Sequence, residues 1–412
     1  MNIFETLTLP NGTTIPNRLA KAAMEENMAN CEQAPSTDLF NLYQSWSKGG
    51  VGLIISGNVM VDSRAMTGPG GVVLEDDEHL ELFKQWAKIG RANGAQFWLQ
   101  INHPGRQMQS NMGQETWAPS AVALDLGKMS DKFATPIEMT QTMIEDVIHR
   151  FAHTAKLAEL AGFTGVEIHA AHGYLLSQFL SPLSNQRKDQ WGGSLENRAR
   201  ILIEIVTAVR ALVSDNFTVA VKLNSADFQR GGFSAEDAKQ VVKMLNELPV
   251  DLVELSGGSY EAPAMQGQAR DGKTLAREAY FLEFATEIRK IAKMPIMVTG
   301  GIRRQPVAEQ VVQSGVDMVG IATALAIEPN LPNAWKAGQL VAPELKPIQW
   351  DNKALASVAN MSTVKYQLRK LSQGKPTNPK VSPFFALVLQ QLAMAKRTKL
   401  YRNRMQRRSK AV

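Results

Sequence analysis

Cysteine is nearly absent. The single Cys31 in 412 residues excludes an intrachain disulfide and any multi-cysteine metal or iron–sulfur site. No uninterrupted apolar stretch is long enough to span a bilayer. The opening MNIFETLTLPNG has no basic region followed by an apolar run, so no secretory signal is expected and a reducing cytoplasm is the expected compartment. Acidic residues vanish after Asp351, where fourteen Lys or Arg follow without one Asp or Glu. The whole chain carries +6, which leaves the first 351 residues at −8. An acidic body of this kind argues against a nucleic-acid binder. What is present, 44% hydrophobic and 20% charged residues, suits a globular protein with a large core.

Eight short runs read as buried strands: RLAKAAM (18–24), VGLIISGNVMV (51–61), AQFWLQINH (95–103), GVEIHAA (165–171), TVAVKLNSA (218–226), DLVELSGG (251–258), MPIMVTGG (294–301) and VDMVGIATAL (316–325). They are apolar on both faces, as parallel strands covered on both sides are. Helical patterns separate them. One is capped at Ser36 or Thr37 and ends near Gly49 and Gly50; another is DDEHLELFKQWAKIGRANG, with acids in its first turn and Gly94 past its end. Longer periodic stretches cover 140–161, 195–213 and 234–247. Eight strands alternating with helices predict an α/β chain folded as a closed (β/α)8 TIM barrel. LTLPNGTTI (7–15) places an Asn-Gly pair between apolar runs, predicting a hairpin that plugs the N-terminal mouth of the barrel. Long insertions follow strand three (104–139) and strand four (172–195), and loops of that length are usually functional.

In such a barrel the active site lies at the C-terminal ends of the strands. Residues 165–198, GVEIHAAHGYLLSQFLSPLSNQRKDQWGGSLENR, put His169, His172 and Tyr174 there, in a chain with six histidines. Two imidazoles on one loop can converge on one oxygen and stabilise negative charge as a carbonyl becomes an enolate. A phenol one step further can deliver a proton. A zinc pair would need a third protein ligand, and none has ligand-like spacing. His149 and His153 are i,i+4 on a helix but lack the HExxH glutamate, so a solvated helix face is expected. Strand seven ends in VTGGIRRQ and strand eight in GIATAL, where barrels of this kind commonly bind phosphate through backbone N–H groups.

The chain resembles the Old Yellow Enzyme family of FMN-dependent ene-reductases. The resemblance rests on NRLAKAAM, QINHPGR after strand three, APSAV (118–122), the block AGFTGVEIHAAHGYLLSQFLSPLSNQRKDQWGGSLENR, VTGGI and EPNLP (328–332). It covers about residues 1–340 and implies an FMN-binding barrel there, with 341–412 as a helical, basic C-terminal extension. It implies that Ala22, Ala23 and Met24 line the flavin edge, with Gly57 beside it. Gln100 would bond the pyrimidine ring, and Lys222 would face the N1–C2=O edge. Gly300, Gly301, Ala322 and Thr323 would meet the phosphate. His169 and His172 would hold the substrate oxygen and Tyr174 would be the proton donor. A cation near N1 and a donor near O2 stabilise a reduced, anionic flavin. Arg187, Asp189, Glu196 and Arg198 are expected to form an ion-pair network that locks the loop.

Four departures from the family pattern stand out. Lys222 replaces arginine, Ala322-Thr323 replaces Gly-Arg, and Ala23 replaces proline. Glu25 stands where relatives carry threonine or cysteine beside the flavin, and an ion pair with Lys21 is the plain expectation for it. With Ala322-Thr323, phosphate would rest on backbone donors, the Thr323 hydroxyl, or Arg303 and Arg304.

The implied activity is reduction of the C=C bond of an α,β-unsaturated carbonyl compound, with NADH or NADPH as electron donor. The alternatives are a dehydrogenase or demethylase-like oxidation on the same barrel, or a membrane-associated flavin-binding electron carrier. The expected partners are a small molecule and a second copy of the chain, not nucleic acid. The tail 383–408 runs from apolar to strongly basic. A helix docked on the barrel or on a partner subunit is the first expectation for it. Contact with an anionic membrane surface and attraction of an acidic substrate or partner are the others.

Overall fold

The computed structural model describes residues 1–264 and 278–411. Eight parallel strands form a closed ring: β1 (Leu19–Lys21), β2 (Leu53–Ile55), β3 (Gln96–Asn102), β4 (Gly165–Ala170), β5 (Thr218–Asn224), β6 (Leu252–Ser256), β7 (Ile296–Thr299) and β8 (Met318–Ile321). β8 returns to β1, with Ile321 opposite Lys21, so the eight-stranded ring has no open edge. Helices α1 (Thr37–Lys48), α2 (Leu80–Arg91), α3 (Gln141–Leu160), α4 (Leu195–Leu212), α5 (Ala235–Leu245), α6 (Leu282–Arg289) and α7 (Gln305–Gln313) each follow a strand. Ser36 caps α1 by accepting from the Leu39 N–H at 3.3 Å, and Gly50 leaves it at φ +88°.

Strand alternation divides the core in two. In β3, Phe97, Leu99 and Ile101 join the outer core beneath the helices, while Trp98 faces into the barrel. The inner cluster also holds Ala20, Leu53, Ile55, Ala220, Leu252, Met297 and Met318. Leu7, Leu9 and Ile15 from the N-terminal hairpin complete it, with Leu7–Thr8 paired antiparallel to Thr14–Ile15. The plug and the closed barrel are as the sequence predicts.

Two strand runs break earlier than expected. Run 51–61 yields β2 and a separate pair Val59–Met60, which leaves β2 to lie against Ile101 and Asn102 of β3. Run 316–325 stops at Ile321, because Thr323–Ile327 winds into a short helix, α8.

Past α9 (Leu331–Lys336), α10 (Lys353–Ser372) and α11 (Pro383–Ala411) pack on each other, and α10 lies against α1 and α8. Tyr401 of α11 is buried in a methionine-rich seam with Met60, Met66, Met108 and Met112, and its hydroxyl donates to Ser63 O at 2.9 Å. Arg404 donates to Gln33 Oε1 at 2.6 Å, and Arg408 bonds Glu75. The extension is thus docked over the loops that follow β1 and β2. Phe384, Phe385 and Leu392 of α11 stay exposed. Among the described residues no helix is long and apolar enough to cross a membrane.

Candidate active site

His169 lies on β4 at the inward parity, opposite Lys222 of β5. Its Nδ1 accepts the Ala171 N–H at 3.2 Å, which puts the ring proton on Nε2. Three residues after His169 the chain turns through left-handed backbone, His172 at φ +60° and Gly173 at φ +74°. The His172 N–H donates to Asn224 Oδ1 at 3.0 Å, and its Nε2 meets Ser256 Oγ at 2.7 Å. Glycine is required at 173, where a Cβ would lie 2.7 Å from Gln107 Oε1 and 2.8 Å from the Ser259 Cβ. The two imidazole centroids are 5.1 Å apart, and the Tyr174 ring stands edge-on to His169 at 4.9 Å.

Enclosure by the mouth of the barrel holds both imidazoles neutral. Burial, then the neighbouring His172 and the Lys222 ammonium, keep His169 well below the usual histidine range. His172 falls to about 3 through burial and the same ammonium. Each neutral ring can present one N–H donor. Burial pushes the Tyr174 phenol well above its ordinary range, helped by the nearby Tyr260, so it stays protonated. The two phenol oxygens are 3.3 Å apart. Tyr260 was not singled out from the sequence; it sits alone in the loop after β6, with no motif around it.

Beneath the histidines lies a polar layer. Gln100 Nε2 donates to Glu167 Oε2 at 2.6 Å, and Lys222 Nζ is 2.7 Å from Glu254 Oε1. Both carboxylates are fully buried. Burial and the charge of Glu254 push Glu167 well above the carboxylate range, whereas the Lys222 ammonium holds Glu254 below it against burial. Glu167 Oε1 and Glu254 Oε2 have no other partner. The sequence signal for these acids was one Glu inside each of the apolar runs GVEIHAA and DLVELSGG. Gln100 and Lys222, expected at the pyrimidine ring and the N1–C2=O edge, each hold a buried carboxylate.

The remaining candidates fall at the same end of the barrel. Ala22 is buried, with its N–H on Ile321 O at 3.0 Å, and Ala23 and Met24 are half-buried. The Gly57 N–H donates to the Tyr43 hydroxyl at 3.0 Å and to Glu26 Oε1 at 3.2 Å, and a Cβ there would lie 2.0 Å from Glu26 Oε2. Gly300 and Gly301 end β7 beside the Tyr280 ring; Gly301 and Thr323 are exposed, and Ala322 is half-buried. Arg303 and Arg304 both pair with Glu278, at 3.2 and 2.7 Å.

Glu25 is not paired with Lys21. Lys21 occupies the outward parity of β1, beneath α1, with its ammonium 4.4 Å from the Trp46 ring centroid. There it donates to Ile55 O at 2.8 Å and meets Glu26 at 3.5 Å. Glu25 instead meets Lys365 of α10 at 2.6 Å. The loop network is also smaller than expected. Arg187 pairs with Asp189 at 2.6 Å and donates to Pro119 O and Met139 O; Arg198 grips Gly193 O and Leu180 O. Glu196 stands apart, exposed in the first turn of α4. His149 and His153 lie exposed on α3. Among the described residues, no three His, Cys, Asp or Glu are gathered as a metal site requires.

Similarity to known proteins agrees with this architecture. The NADH-dependent flavin oxidoreductase of Neonectria sp. (strain DH2) is 40% identical over 351 residues, which is 79% of this chain and 46% of that one. The NADH-dependent flavin oxidoreductase of Hypocrea jecorina is 36% identical over 79% of this chain and 86% of its own length. The chain therefore spans under half of the first relative and most of the second. The solved 2-naphthoyl-CoA reductase complex superposes with a TM-score of 0.76 at 27% identity, covering 83% of this chain and 53% of that one. The Old Yellow Enzyme homologue of Zymomonas mobilis shares the fold, with a TM-score of 0.71 at 24% identity over 84% of this chain and 95% of its own. Residues 2–340 match the NADH:flavin oxidoreductase / NADH oxidase family, and with the barrel and the strand-four site already in place, the chain belongs to that family, the Old Yellow Enzyme family of flavin-dependent oxidoreductases.

Proposed function

We propose that residues 1–340 form an FMN-binding unit that uses NADH or NADPH to reduce the C=C bond of α,β-unsaturated carbonyl compounds. The observation that carries this reading is the pair of neutral imidazoles beside a protonated phenol at the mouth of the barrel. Its fit to a flavin is supported by Asn102. This residue is buried at the inward parity of β3, and neither its side-chain oxygen nor its nitrogen has a partner. A ring edge that alternates carbonyl and N–H groups would satisfy both atoms. Gln100 and Lys222 would face the same ring. Ala22, Ala23, Met24, Glu25 and Gly57 would border it, and Gly300, Gly301, Ala322 and Thr323 would meet the phosphate.

When bound, FMN supplies hydride chemistry, taking a hydride from the nicotinamide and giving it to the β-carbon of the substrate. His169 and His172 hold the substrate carbonyl oxygen and stabilise the charge that grows on it. Because both are neutral, they donate hydrogen bonds and keep their protons. Tyr174 gives its phenolic proton to the α-carbon, and Tyr260 orients that phenol through the 3.3 Å contact.

The purified protein should be yellow, with one non-covalent FMN per chain; a colourless protein that takes up no added FMN would sink the reading. Tyr174→Phe should slow re-oxidation of the reduced enzyme by an enone by roughly a hundred- to ten-thousandfold and leave reduction by NAD(P)H unchanged. Tyr260→Phe should slow the same half-reaction by less. Stopped-flow traces in which both halves slow equally would remove the tyrosines from proton delivery.

A further inference from the structure

The extension lies outside the matched family region, yet it reaches the site. Lys365 of α10 places Nζ 2.6 Å from Glu25 Oε2 and also bonds Asn27 Oδ1. Glu25 Oε1 accepts from the Thr67 hydroxyl at 2.8 Å. Glu25 follows β1 at the mouth, and its negative charge acts on the phenols of both Tyr174 and Tyr260. The carboxylate, the two phenols and the two imidazoles therefore share one opening.

Among the described residues, the neighbouring charges already have partners. Lys222 pairs with Glu254, burial and the Glu254 charge favour the neutral form of Glu167, and Arg106 pairs with Glu261 at 2.6 Å. Among the described residues, Lys365 is the ion-pair partner of Glu25. Taking it away would leave a half-buried carboxylate without its counter-charge, where solvent screens it less than at an open surface.

We propose that Lys365 is a positioning residue lent to the flavin site by the C-terminal extension: it fixes the Glu25 carboxylate at the mouth and cancels its charge, so that docking of α10 sets the electrostatics in which FMN is reduced. This inference rests on the flavin reading above. Burial alone would raise the proton affinity of Glu25; Lys365, Thr67 and Asn27 outweigh it and hold the carboxyl below its usual range. Among the described residues, the charged and titratable groups that act with Glu25 are Lys365 from α10 and the phenols Tyr174 and Tyr260 from the loops after β4 and β6. Both phenols are held protonated, so Lys365 supplies the compensating charge.

The experiment is spectroelectrochemistry of the full-length FMN holoenzyme from about pH 6 to pH 9. Lys365→Met should lower the FMN midpoint potential at the alkaline end. The offset should shrink toward acid pH as the stranded carboxylate takes up a proton. Lys365→Arg should restore the wild-type curve, as should the double variant Glu25→Gln, Lys365→Met, which removes both charges. If Lys365→Met fails to retain FMN, Glu25→Gln alone decides, since it should raise the potential through loss of one negative charge. Wild-type protein that takes up no FMN overturns the flavin reading and this inference together. Wild-type protein that binds FMN, with variants whose potentials match it at every pH, overturns the inference alone.

Discussion

His172 adopts a left-handed backbone, an uncommon conformation for a residue with a side chain and one that concentrates at functional sites. The Asn224 bond to its N–H and the bare Gly173 after it hold the turn, which brings the ring to within 5.1 Å of His169. His172→Ala should weaken binding of phenol-type ligands and lower turnover by on the order of a hundredfold, while FMN content holds. Ligand titration with unchanged affinity would remove His172 from the site. Lys21 makes a pH prediction of the opposite kind, one about stability. Burial lowers its pKa to about 8 from the ordinary lysine value of 10.5, despite Glu26 nearby. Between these values the unfolded chain holds a proton that the folded one has released, so stability should rise with pH from about 8 to about 10.5. Lys21→Met should abolish that rise, worth roughly 3 kcal/mol, in denaturant melts across the window. Melts of wild type that fall or stay flat through the window would refute it. His169, His172 and Tyr174 were legible because one strand and one short loop carry them all. The partner of Glu25 was not, because Lys365 lies 340 residues away and no local pattern joins the two.

At the scale of elements, every barrel strand was visible as an apolar run, because parallel strands buried on both faces are written that way. Their ends were less visible. After Ile55 the triplet Ser56-Gly57-Asn58 interrupts the apolar run before Val59, whereas after Ile321 only Thr323 breaks the apolar residues and composition does not say where the chain turns away. Ser56 marks the first break, where its hydroxyl bonds Gly57 O and accepts the Gln100 N–H. The extension was legible as a helix with an apolar face, and the docked arrangement favoured from that pattern is the one observed. Its seat was hidden, since the pocket for Tyr401 is built by Met60 and Met66 after β2 and by Met108 and Met112 after β3. Truncation after about Leu345 should bare this seam and strand Glu25, and the shortened protein should aggregate or lose cofactor. A truncated protein that stays monodisperse, yellow and active would show that the barrel does not need the extension.

At the scale of the molecule, the uneven charge becomes internal complementarity. The acidic body carries −8, and part of its charge faces the extension: Glu25 meets Lys365, Glu32 meets Arg404 and Arg407, and Glu75 and Asp76 meet Arg408. The outer pairs are partly exposed and open to screening, whose range falls from about 10 Å at 0.1 M salt to about 3 Å at 1 M. Backbone amides of α11 should therefore exchange faster with deuterium at about 1 M salt, while those of β3 to β6 do not change. Equal protection of α11 at both salt concentrations would mean that the apolar seam alone holds it.

The long return of the extension also has a consequence for synthesis. Tyr401 bonds Ser63 across 338 positions of sequence, and β8 must close on β1 before the ring is complete. At roughly 5–20 residues per second, the ribosome delivers Tyr401 about 20–70 s after Ser63. Throughout that interval the methionine seam and the Glu25 carboxylate have no cover, so the nascent barrel offers a greasy, acidic face to whatever chaperone attends it.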